Sequence, residues 1–311
     1  QGSTGTVNPE HLKALIACGV VPEYFLTIPE RLRSLKVPQR RQRRSAGRFL
    51  VAGGADLFVQ RPGRMLEQEL SFLSTVPEAG QIRVEKNRLL LGAGIPMERL
   101  KEIPELKDRL PELADEMSLI ASAPIRWRAT LGGNIVNASP IGDFTVMLLA
   151  LGAVLQLKKG QAVREVPLER FFLGYKQLDL KPGERLQWIA LPREEGRFSF
   201  EKVARRRHLD IASVNSAAWI AVRGGRIVKA RIAAGGVAPV PLLLSRVSAC
   251  LEGQELGDEV IERALDLAQG EIAPISDVRG SERYKRLLLR QLLLAHFQKL
   301  FPERVHAEVW V

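Results

Sequence analysis

Short apolar runs and amphipathic stretches alternate along the 311-residue chain, and each class predicts its own kind of element. Continuous apolar runs that end at glycine or polar residues are typical of buried strands, whereas apolar positions three and four apart are typical of helices. We therefore predict strands at 49–52, 153–158, 185–191, 198–204 and 226–234, and two short strands within 82–92. We predict helices at 9–18, 29–35, 96–102, 105–118, 257–269 and 281–300, whereas 212–222 fits either type.

Turn-forming residues divide this pattern into three parts. The polar stretch at 192–196 marks a domain boundary, so we predict an N-terminal extension or linker at 1–46, a first domain at 47–195 and a C-terminal domain at 196–311. The segment 130–143 predicts an ordered loop or a strand–turn–helix junction. We expect no membrane span, because no apolar run approaches roughly 18 residues, and the first residues carry no secretory signal. Whether 1–46 is a natural N-terminus or part of a fused chain stays open.

The cysteine content excludes two kinds of site. Cys18 and Cys250 are the only cysteines of the chain. An ordinary iron–sulfur cluster takes more thiolates than these, so this chain cannot hold one alone, and we predict no metal site. A disulfide framework is excluded as well, which favours a cytoplasmic location.

The charge of the chain points to anionic partners. Its formal net charge is +11, which suits phosphorylated cofactors, nucleic acid or acidic protein faces. Part of this charge is concentrated in one cluster, which consists of Arg40, Arg41, Arg43, Arg44 and Arg48. The cluster fits either a docking patch for a partner or a solvated linker. No aromatic residue interleaves to stack on bases, so we predict no nucleic-acid partner.

Two glycine pairs are candidates for phosphate binding. The first glycine segment is Val51-Ala52-Gly53-Gly54-Ala55-Asp56-Leu57, and the second is Thr130-Leu131-Gly132-Gly133-Asn134-Ile135. Adjacent glycines let the backbone approach a ligand, and successive N–H groups can converge on an anion. Two such segments could hold a diphosphate between them. Neither matches the phosphate-loop or the Gly-x-Gly-x-x-Gly pattern, so we do not expect a Rossmann site.

Five stretches together resemble one known family. "VAGGADL" and "RATLGGNIVNASPIGD" are similar to the flavin loops of the molybdenum hydroxylases, which include xanthine and carbon monoxide dehydrogenases. "FEKVARRRHLDIASVNSA", "IAAGGVAPVP" and "ISDVRGSERYKRLLLRQLL" resemble their C-terminal flavoprotein domain, so the resemblance is collinear over roughly 47–300. "GVVPEYFLTIPERLRSL" resembles the linker that follows the iron–sulfur domain in fused relatives. The resemblance implies an α+β fold: a two-lobed FAD-binding domain of the vanillyl-alcohol oxidase-like type, then a smaller α/β C-terminal domain.

The resemblance also implies site residues. The FAD pyrophosphate would contact Ala52, Gly53, Gly54, Ala55 and Asp56, with Thr130, Gly132, Gly133 and Asn134 near the same groups. Ser139 and Asp143 would reach the ribityl chain and flavin. Leu186 would lie against the isoalloxazine, and Lys202 would lie beside the ring system, where a cation favours the anionic reduced flavin. The alternative for Leu186 is a strand residue of the hydrophobic core, and the alternative for Lys202 is a surface lysine. The family commonly has Thr or Ser where this chain has Ala55. The resemblance implies no catalytic residue. Structural ion pairs are the role that we expect for Arg206, Arg207 and Asp210, and we expect His208 to be exposed.

The resemblance implies an FAD-bearing electron-transfer component of a molybdenum hydroxylase. It would pass electrons from an iron–sulfur partner to NAD or another acceptor, with the [2Fe-2S] cluster and the molybdenum cofactor on partner chains only. Two alternatives stay open: a stand-alone flavin reductase of the same fold, such as the cell-wall enolpyruvyl reductases, and a non-catalytic basic binding protein. The chain lacks the Pro-Gly-x-x-Gly-Gly pattern usual in those reductases. The substrate, the final acceptor and the stoichiometry do not follow from the sequence.

Overall fold

A computed structural model describes residues 9–35, 49–206 and 208–305 of the chain. The arginine cluster at 40–48 and Arg207 therefore lie outside the described residues. The chain divides into two compact units, residues 1–45 and residues 46–311. The first unit contains helix α1 (Pro9–Ala17), a 3-10 helix (Glu23–Thr27) and helix α2 (Ile28–Ser34). Both helices predicted from the sequence of this unit are confirmed.

The second unit mixes helices with mainly antiparallel sheets, which confirms the predicted α+β class. Its strands are β1 (Phe49–Val51), β2 (Leu70–Phe72), β3 (Ile82–Val84), β4 (Arg88–Gly92), β5 (Val154–Lys159), β6 (Ala162–Pro167), β7 (Phe172–Gly174), β8 (Gln177–Leu178), β9 (Arg185–Pro192), β10 (Arg197–Val203), β11 (Val214–Arg223), β12 (Arg226–Gly235) and β13 (Leu242–Leu243). Its helices are α3 (Leu57–Gln60), α4 (Pro62–Glu67), α5 (Pro104–Lys107), α6 (Leu113–Ser118), α7 (Ala123–Arg128), α8 (Leu131–Asn137), α9 (Asp143–Ala150), α10 (Ser245–Leu251), α11 (Asp258–Glu271) and α12 (Glu282–Leu300). Shorter 3-10 helices span Leu73–Thr75, Pro77–Gly80, Met97–Glu102 and Leu168–Arg170.

The strands form two larger sheets and two small ones. β1 and β2 make a short parallel pair. The five-stranded sheet has the order β3-β4-β9-β5-β6, and the four-stranded sheet has the order β10-β11-β12-β13; every neighbouring pair in these two sheets is antiparallel. β7 and β8 form a separate hairpin. A long hydrophobic core lies along the five-stranded sheet and α9, and continues onto one face of the four-stranded sheet.

The four-stranded sheet is buried on both faces. Ala217 and Trp219 on β11 face the core shared with the five-stranded sheet, whereas Ala218 and Ile220 face a second core. This second core is completed by α10, α11 and α12, for example by Leu289 and Phe297. Because side chains alternate along a strand, burial on both faces makes the strand a continuous apolar run. The segment 212–222, which fits either type by sequence, is therefore strand β11.

Several elements differ from the sequence prediction. The stretch 96–102 is a 3-10 helix, and 105–118 holds two short helices, α5 and α6, because Pro111 interrupts it. Strand β6 was not predicted, since its buried and exposed positions leave no continuous apolar run. In α12 the leucine at position 287 is 54% exposed and not part of the core. Strand β1 forms as predicted, but only Val51 is buried in it.

A buried carboxylate fastens α6 to the edge of the four-stranded sheet. Oε1 of Glu116 accepts a hydrogen bond from the backbone N–H of Phe200 on β10 at 2.9 Å, and Nζ of Lys299 lies 3.5 Å from the same oxygen. Strand edges present unpaired N–H groups that proteins cover, and Glu116 covers one here. Its side chain is buried, and its second oxygen has no hydrogen-bond partner among the described residues. Burial raises the pKa of Glu116 to about 7.

This raised pKa gives a testable pH dependence of stability. In the unfolded chain the carboxyl ionises at its ordinary pKa, whereas the folded protein holds the proton up to about pH 7. The contribution of Glu116 to the free energy of unfolding is therefore fully present below the pKa that this carboxyl has in the unfolded chain. It is lost as the pH rises through the pKa that the carboxyl has in the folded protein. Relative to Glu116→Gln, we expect the wild-type free energy of unfolding to fall by up to about 3 kcal/mol between about pH 5 and pH 8. Urea denaturation of wild type and Glu116→Gln across this pH range measures the two free energies of unfolding.

The exposed Glu102 provides the matched control for that experiment. Glu102→Gln should keep the wild-type pH profile, because the side chain of Glu102 stays in water when the chain folds. Parallel pH profiles for wild type and Glu116→Gln would contradict the assignment of the pH dependence to Glu116.

Candidate functional site

The first glycine segment leaves β1 with three backbone N–H groups that have no acceptor in the part of the chain that the structure describes. Gly54 has a φ of +75°, which an L-residue rarely adopts, so the chain turns sharply there before α3. Within the described residues, no group accepts a hydrogen bond from the backbone N–H of Gly53, Gly54 or Ala55. Backbone donors are normally paired with protein or water. The segment therefore presents a run of N–H groups that an anionic ligand can accept from.

The second glycine segment is the start of a helix rather than a loop. Thr130 is the N-cap of α8, and its hydroxyl accepts from the N–H of Gly133 at 3.1 Å. The N–H of Gly132 donates to the carbonyl of Ala93 at 2.8 Å, and that of Asn134 to Thr130 at 3.0 Å. These N–H groups therefore donate to acceptors within the protein in this structure. Gly132 and Gly133 therefore leave room for the neighbouring backbone, while their own N–H groups are already paired.

The two segments lie against each other because their glycines have no side chains. A Cβ on Gly53 would overlap the carbonyl oxygen of Arg128, at the end of α7. A Cβ on Gly133 would stand 2.9 Å from the hydroxyl of Thr130 and 3.6 Å from Cβ of Ala52. The side-chain amide of Asn137, at the end of α8, donates to the carboxylate of Asp56. The unused N–H groups of the first segment therefore border the helix that the second segment begins.

A buried ion pair lies at the start of α9. Nζ of Lys202 on β10 is 2.7 Å from Oδ2 of Asp143, the first residue of α9, and also donates to the carbonyl of Leu119 at 3.0 Å. The lysine and aspartate side chains are 5% and 10% exposed. The amide of Asn215 donates to the other oxygen of Asp143 and to the carbonyl of Ile141. Both predicted residues, Asp143 and Lys202, are thus brought together, and Lys202 is not a surface lysine.

Burial and the ion pair act on Asp143 in opposite directions. Burial raises the pKa of Asp143, while the Lys202 ammonium and the Asn215 amide lower it, and burial prevails. A carboxylate taken out of water is costly unless it is paired and hydrogen-bonded. Here both oxygens have charged or amide donors, so the site can keep a fixed cation inside the protein.

The strand register explains how these groups meet. Lys202 pairs with Asn215 across β10 and β11, and Asn215 pairs with Gly235 across β11 and β12. A Cβ on Gly235 would overlap Oδ1 of Asn215, and Gly236 donates its N–H to the carbonyl of Pro140 at 2.9 Å. The Gly235-Gly236 pair therefore lets the loop before α9 rest on the end of the sheet, where Asp143 reaches Lys202.

The remaining predicted residues connect or flank these two clusters. Oδ1 of Asn134 accepts from the hydroxyl of Thr145 at 2.9 Å, which ties α8 to α9. Ser139 lies in the loop between them, partly buried, and its carbonyl accepts from the N–H of Gly142 at 3.1 Å. Leu186 is 5% exposed and packs in the hydrophobic core on β9.

Asn215 was missed by the sequence analysis. It is fully buried, and its Oδ1 has no hydrogen-bond partner among the described residues. Its amide orientation is fixed, since both groups that its nitrogen meets are acceptors. The sequence does hold one sign of this role, a lone amide inside an apolar run. A buried amide needs hydrogen-bond partners, so such a residue predicts a polar contact within the core.

Other predicted features fall outside this site. Arg206 and Asp210 pair at 3.7 Å, as predicted, and His208 is exposed. Within 9–35, 49–206 and 208–305, no three His, Cys, Asp or Glu side chains are placed to hold a metal ion. None of the helices described there is both long and apolar enough to cross a membrane.

Two family models match the chain in tandem. The FAD-binding domain of molybdopterin dehydrogenases matches residues 34–194, which is more than half of the chain. The chain belongs to this family. The C-terminal domain of the carbon monoxide dehydrogenase flavoprotein matches residues 199–300. The predicted FAD-binding domain followed by a C-terminal flavoprotein domain is therefore confirmed, and so is FAD as the cofactor.

Individual relatives are dehydrogenase chains. The medium chain of carbon monoxide dehydrogenase from Hydrogenophaga pseudoflava is 30% identical over 247 residues, 78% of this chain and 86% of that one. Xanthine dehydrogenase/oxidase from Gallus gallus is 29% identical over 238 residues, 72% of this chain but 18% of that longer protein. A solved structure of carbon monoxide dehydrogenase from H. pseudoflava superposes with a TM-score of 0.75 at 30% identity, over 80% of this chain and 88% of the matched chain. This chain is thus similar to a component of a larger oxidoreductase.

The buried ion pair predicts a specific pattern of stability changes. Lys202→Met leaves the carboxylate of Asp143 buried without its cation, and we expect the free energy of unfolding to fall by about 3 kcal/mol. Adding Asp143→Asn removes the unpaired charge, so the double variant should recover about half of that loss or more. Urea denaturation of the apoproteins measures both effects.

Lys229 is the matched control, because it pairs with Glu194 at 2.7 Å but is 46% exposed. Lys229→Met should cost less than about 1 kcal/mol. An equally small loss for Lys202→Met would contradict a stabilising role for the buried pair.

Proposed function

We propose that this chain is the FAD-bearing electron-transfer component of a molybdenum hydroxylase. It receives electrons from an iron–sulfur chain and passes them to NAD or another acceptor. The molybdenum cofactor and the [2Fe-2S] cluster belong to partner chains. The single observation that carries the proposal is the first glycine segment, whose unpaired N–H groups border the capped start of α8 within a chain of the FAD-binding family.

We infer that the FAD diphosphate lies on the first glycine segment. The N–H groups of Gly53, Gly54 and Ala55 have no protein acceptor among the described residues, so they are free to donate to phosphate oxygens. Hydrogen bonds to a charged acceptor contribute roughly 1.5–3 kcal/mol each. Flanking this segment are the other residues that we assign to the diphosphate, namely Ala52, Asp56, Thr130, Gly132, Gly133 and Asn134.

We place the flavin end of FAD toward the start of α9. When bound, FAD supplies electron transfer in single or paired steps. Lys202 holds a fixed positive charge there, and Asp143 and Asn215 hold the lysine. A cation in this place favours the reduced anionic form of a flavin. Ser139 lies in the loop that leads to Asp143, and we assign Leu186 to the apolar wall of the same site.

We also propose 47–195 and 196–311 as the extents of the two domains and 1–46 as a linker or extension. The relatives' names support a multi-chain enzyme, because one of them is called a medium chain. No observation on this structure favours the stand-alone reductase or the non-catalytic binding protein.

The diphosphate assignment is tested by filling the contact between the two glycine segments. Gly133→Val places carbon against the hydroxyl of Thr130 and toward Ala52, so we expect the first segment to be displaced and FAD content to fall at least about tenfold. FAD per chain is measured from flavin absorbance after gel filtration. Gly63→Val is the control, since a Cβ at Gly63 meets nothing within 4 Å. Full flavin occupancy in Gly133→Val would remove this segment from the site.

The division of labour is tested with the purified single chain. The chain has two cysteines, too few for an ordinary cluster. We expect the chain to bind FAD but to hydroxylate none of a panel of aldehydes and N-heterocycles. Adding an iron–sulfur chain and a molybdenum chain should allow the substrate to reduce the flavin. The loss of oxidised-flavin absorbance measures this reduction. Hydroxylation by the single chain, free of partners, would overturn the proposed function.

A further inference from the structure

Helix α9 is attached to the four-stranded sheet at both of its ends. It lies in the part of the chain that matches the FAD-binding domain, whereas β10, β11 and β12 lie in the part that matches the C-terminal domain. At its first residue, Asp143 meets Lys202 and Asn215. At its last residue, the carbonyl of Ala150 accepts a hydrogen bond from Nε of Arg231 on β12 at 2.9 Å. Both attachments therefore join the two matched parts of the chain.

The length of α9 fits the spacing of these attachments along the sheet. A helix rises about 1.5 Å per residue, so the 8 residues of α9 span roughly 11 Å. Gly235 pairs with Asn215, and Arg231 precedes Gly235 on the same strand by roughly 13 Å. A carboxylate at the start of α9 and a guanidinium at its end also complement the helix dipole. Each end of the helix thus reaches a polar group that suits it.

Arg231 also fastens the segment that joins the two matched parts. Its Nη2 lies 2.9 Å from Oε2 of Glu194, and its guanidinium carbon lies 4.1 Å from the centre of the Trp219 ring. From the other side, Arg109 donates to the carbonyl of Glu194 at 2.7 Å. The Arg231 side chain is only 13% exposed. One guanidinium therefore holds the helix end, the joining segment and a strand, which its planar set of N–H donors permits.

Apolar packing alone does not fix the position of α9 along its own axis. The residues from Phe144 to Ala150 are all buried, and most of them are apolar. Apolar burial has no preferred direction, whereas a hydrogen bond needs a particular distance and angle. A small slide of α9 would keep most of its burial but would break the 2.7 Å contact between Asp143 and Lys202. The polar contacts with the sheet therefore decide where Asp143 stands relative to Lys202.

We propose that Arg231 is a positioning residue for the flavin, because it holds the far end of α9 and so keeps Asp143 against Lys202. This inference rests on the proposed function, in which the flavin end of FAD lies beside that pair. While the pair is intact, the carboxylate compensates part of the lysine charge. Once the pair is parted, the bound flavin meets a stronger positive charge, which favours its reduced anionic form.

The test measures the ratio of reduced to oxidised FAD in the full chain, equilibrated with a redox dye at a fixed potential. Arg231→Met keeps an apolar side chain against Trp219 but removes the bonds to Ala150 and Glu194. We expect its ratio to be at least about threefold above that of wild type. Lys229→Met is the control and should match wild type. Lys229 pairs with the same Glu194 at 2.7 Å but makes no hydrogen bond to α9 within the described residues.

A double variant shows whether Arg231 acts through Asp143. Asp143→Asn removes the compensating carboxylate, so it should raise the ratio of reduced to oxidised FAD by more than Arg231→Met does. In the Asp143→Asn background, Arg231→Met should add nothing, because no carboxylate is left to part from the lysine. If Arg231→Met raises the ratio equally in both backgrounds, it does not act through Asp143 and the inference is wrong.

A conservative variant tests the geometry of the guanidinium. Lysine has a single ammonium group in place of the planar set of donors, so Arg231→Lys can hold Ala150 or Glu194 but not both in the present geometry. The ratio of reduced to oxidised FAD in Arg231→Lys should therefore lie between those of wild type and Arg231→Met. A ratio at or above that of Arg231→Met would contradict the positioning role.

The apoprotein gives a second measurement that needs no bound FAD. In the Arg231→Met background Asp143 is already parted from Lys202, so Lys202→Met should reduce the free energy of unfolding by less than it does in wild type. Urea denaturation of the four apoproteins measures this difference. An equal loss in both backgrounds would overturn the inference.

The outcomes separate this inference from the proposed function. A raised ratio in Asp143→Asn with wild-type ratios in both Arg231 variants would overturn the role of Arg231 and leave the proposed function standing. A wild-type ratio in Asp143→Asn would contradict the proposed place of the flavin beside the pair, and the inference would fall with it.

Discussion

The close approach of one backbone to another at Gly53 is the constraint on which the site depends. Gly53 packs against the carbonyl of Arg128, where any side chain would overlap it, and this contact brings the first glycine segment to the start of α8. The N–H groups at the start of α8 donate within the protein, whereas those of Gly53, Gly54 and Ala55 have no acceptor among the residues that the structure describes. The first glycine segment therefore offers N–H donors and the second supplies room, although their sequences look alike.

The four-stranded sheet extends this arrangement to the other half of the site. Its two buried faces pack on two cores, so the ends of its strands are held firmly in place. Lys202, Asn215 and Gly235 stand side by side there on three strands, facing the start of α9. The hydrogen bond between Asn134 and Thr145 joins α9 to α8. The two clusters are thus connected through two short helices and not through a flexible loop.

Much of this could be predicted from the sequence, and the exceptions have physical reasons. Asp143 and Lys202 were identified by resemblance, but their mutual contact depends on strand register, which a sequence pattern does not reveal. The segment 130–143 was predicted as an ordered loop or a strand–turn–helix junction. Helix α8 begins within it, because the Thr130 cap and the close packing of Gly132 on Ala93 outweigh the low helix propensity of glycine. Asn215 was missed because its only sign was a polar residue in an apolar strand.

The position of the Lys202 ammonium depends on α6 and on Leu119, which lie outside both glycine segments. The carbonyl of Leu119 accepts from its Nζ, and three residues earlier Glu116 accepts from the N–H of Phe200 on the same strand. α6 and the residue after it therefore fasten β10 at two points, one neutral carbonyl and one carboxyl with a pKa raised to about 7 by burial. Because Lys202 is two residues from Phe200, its ammonium is positioned by the same attachment that covers the strand edge. The fixed cation of the site is thus a consequence of how the sheet edge is covered, as well as of the ion pair with Asp143.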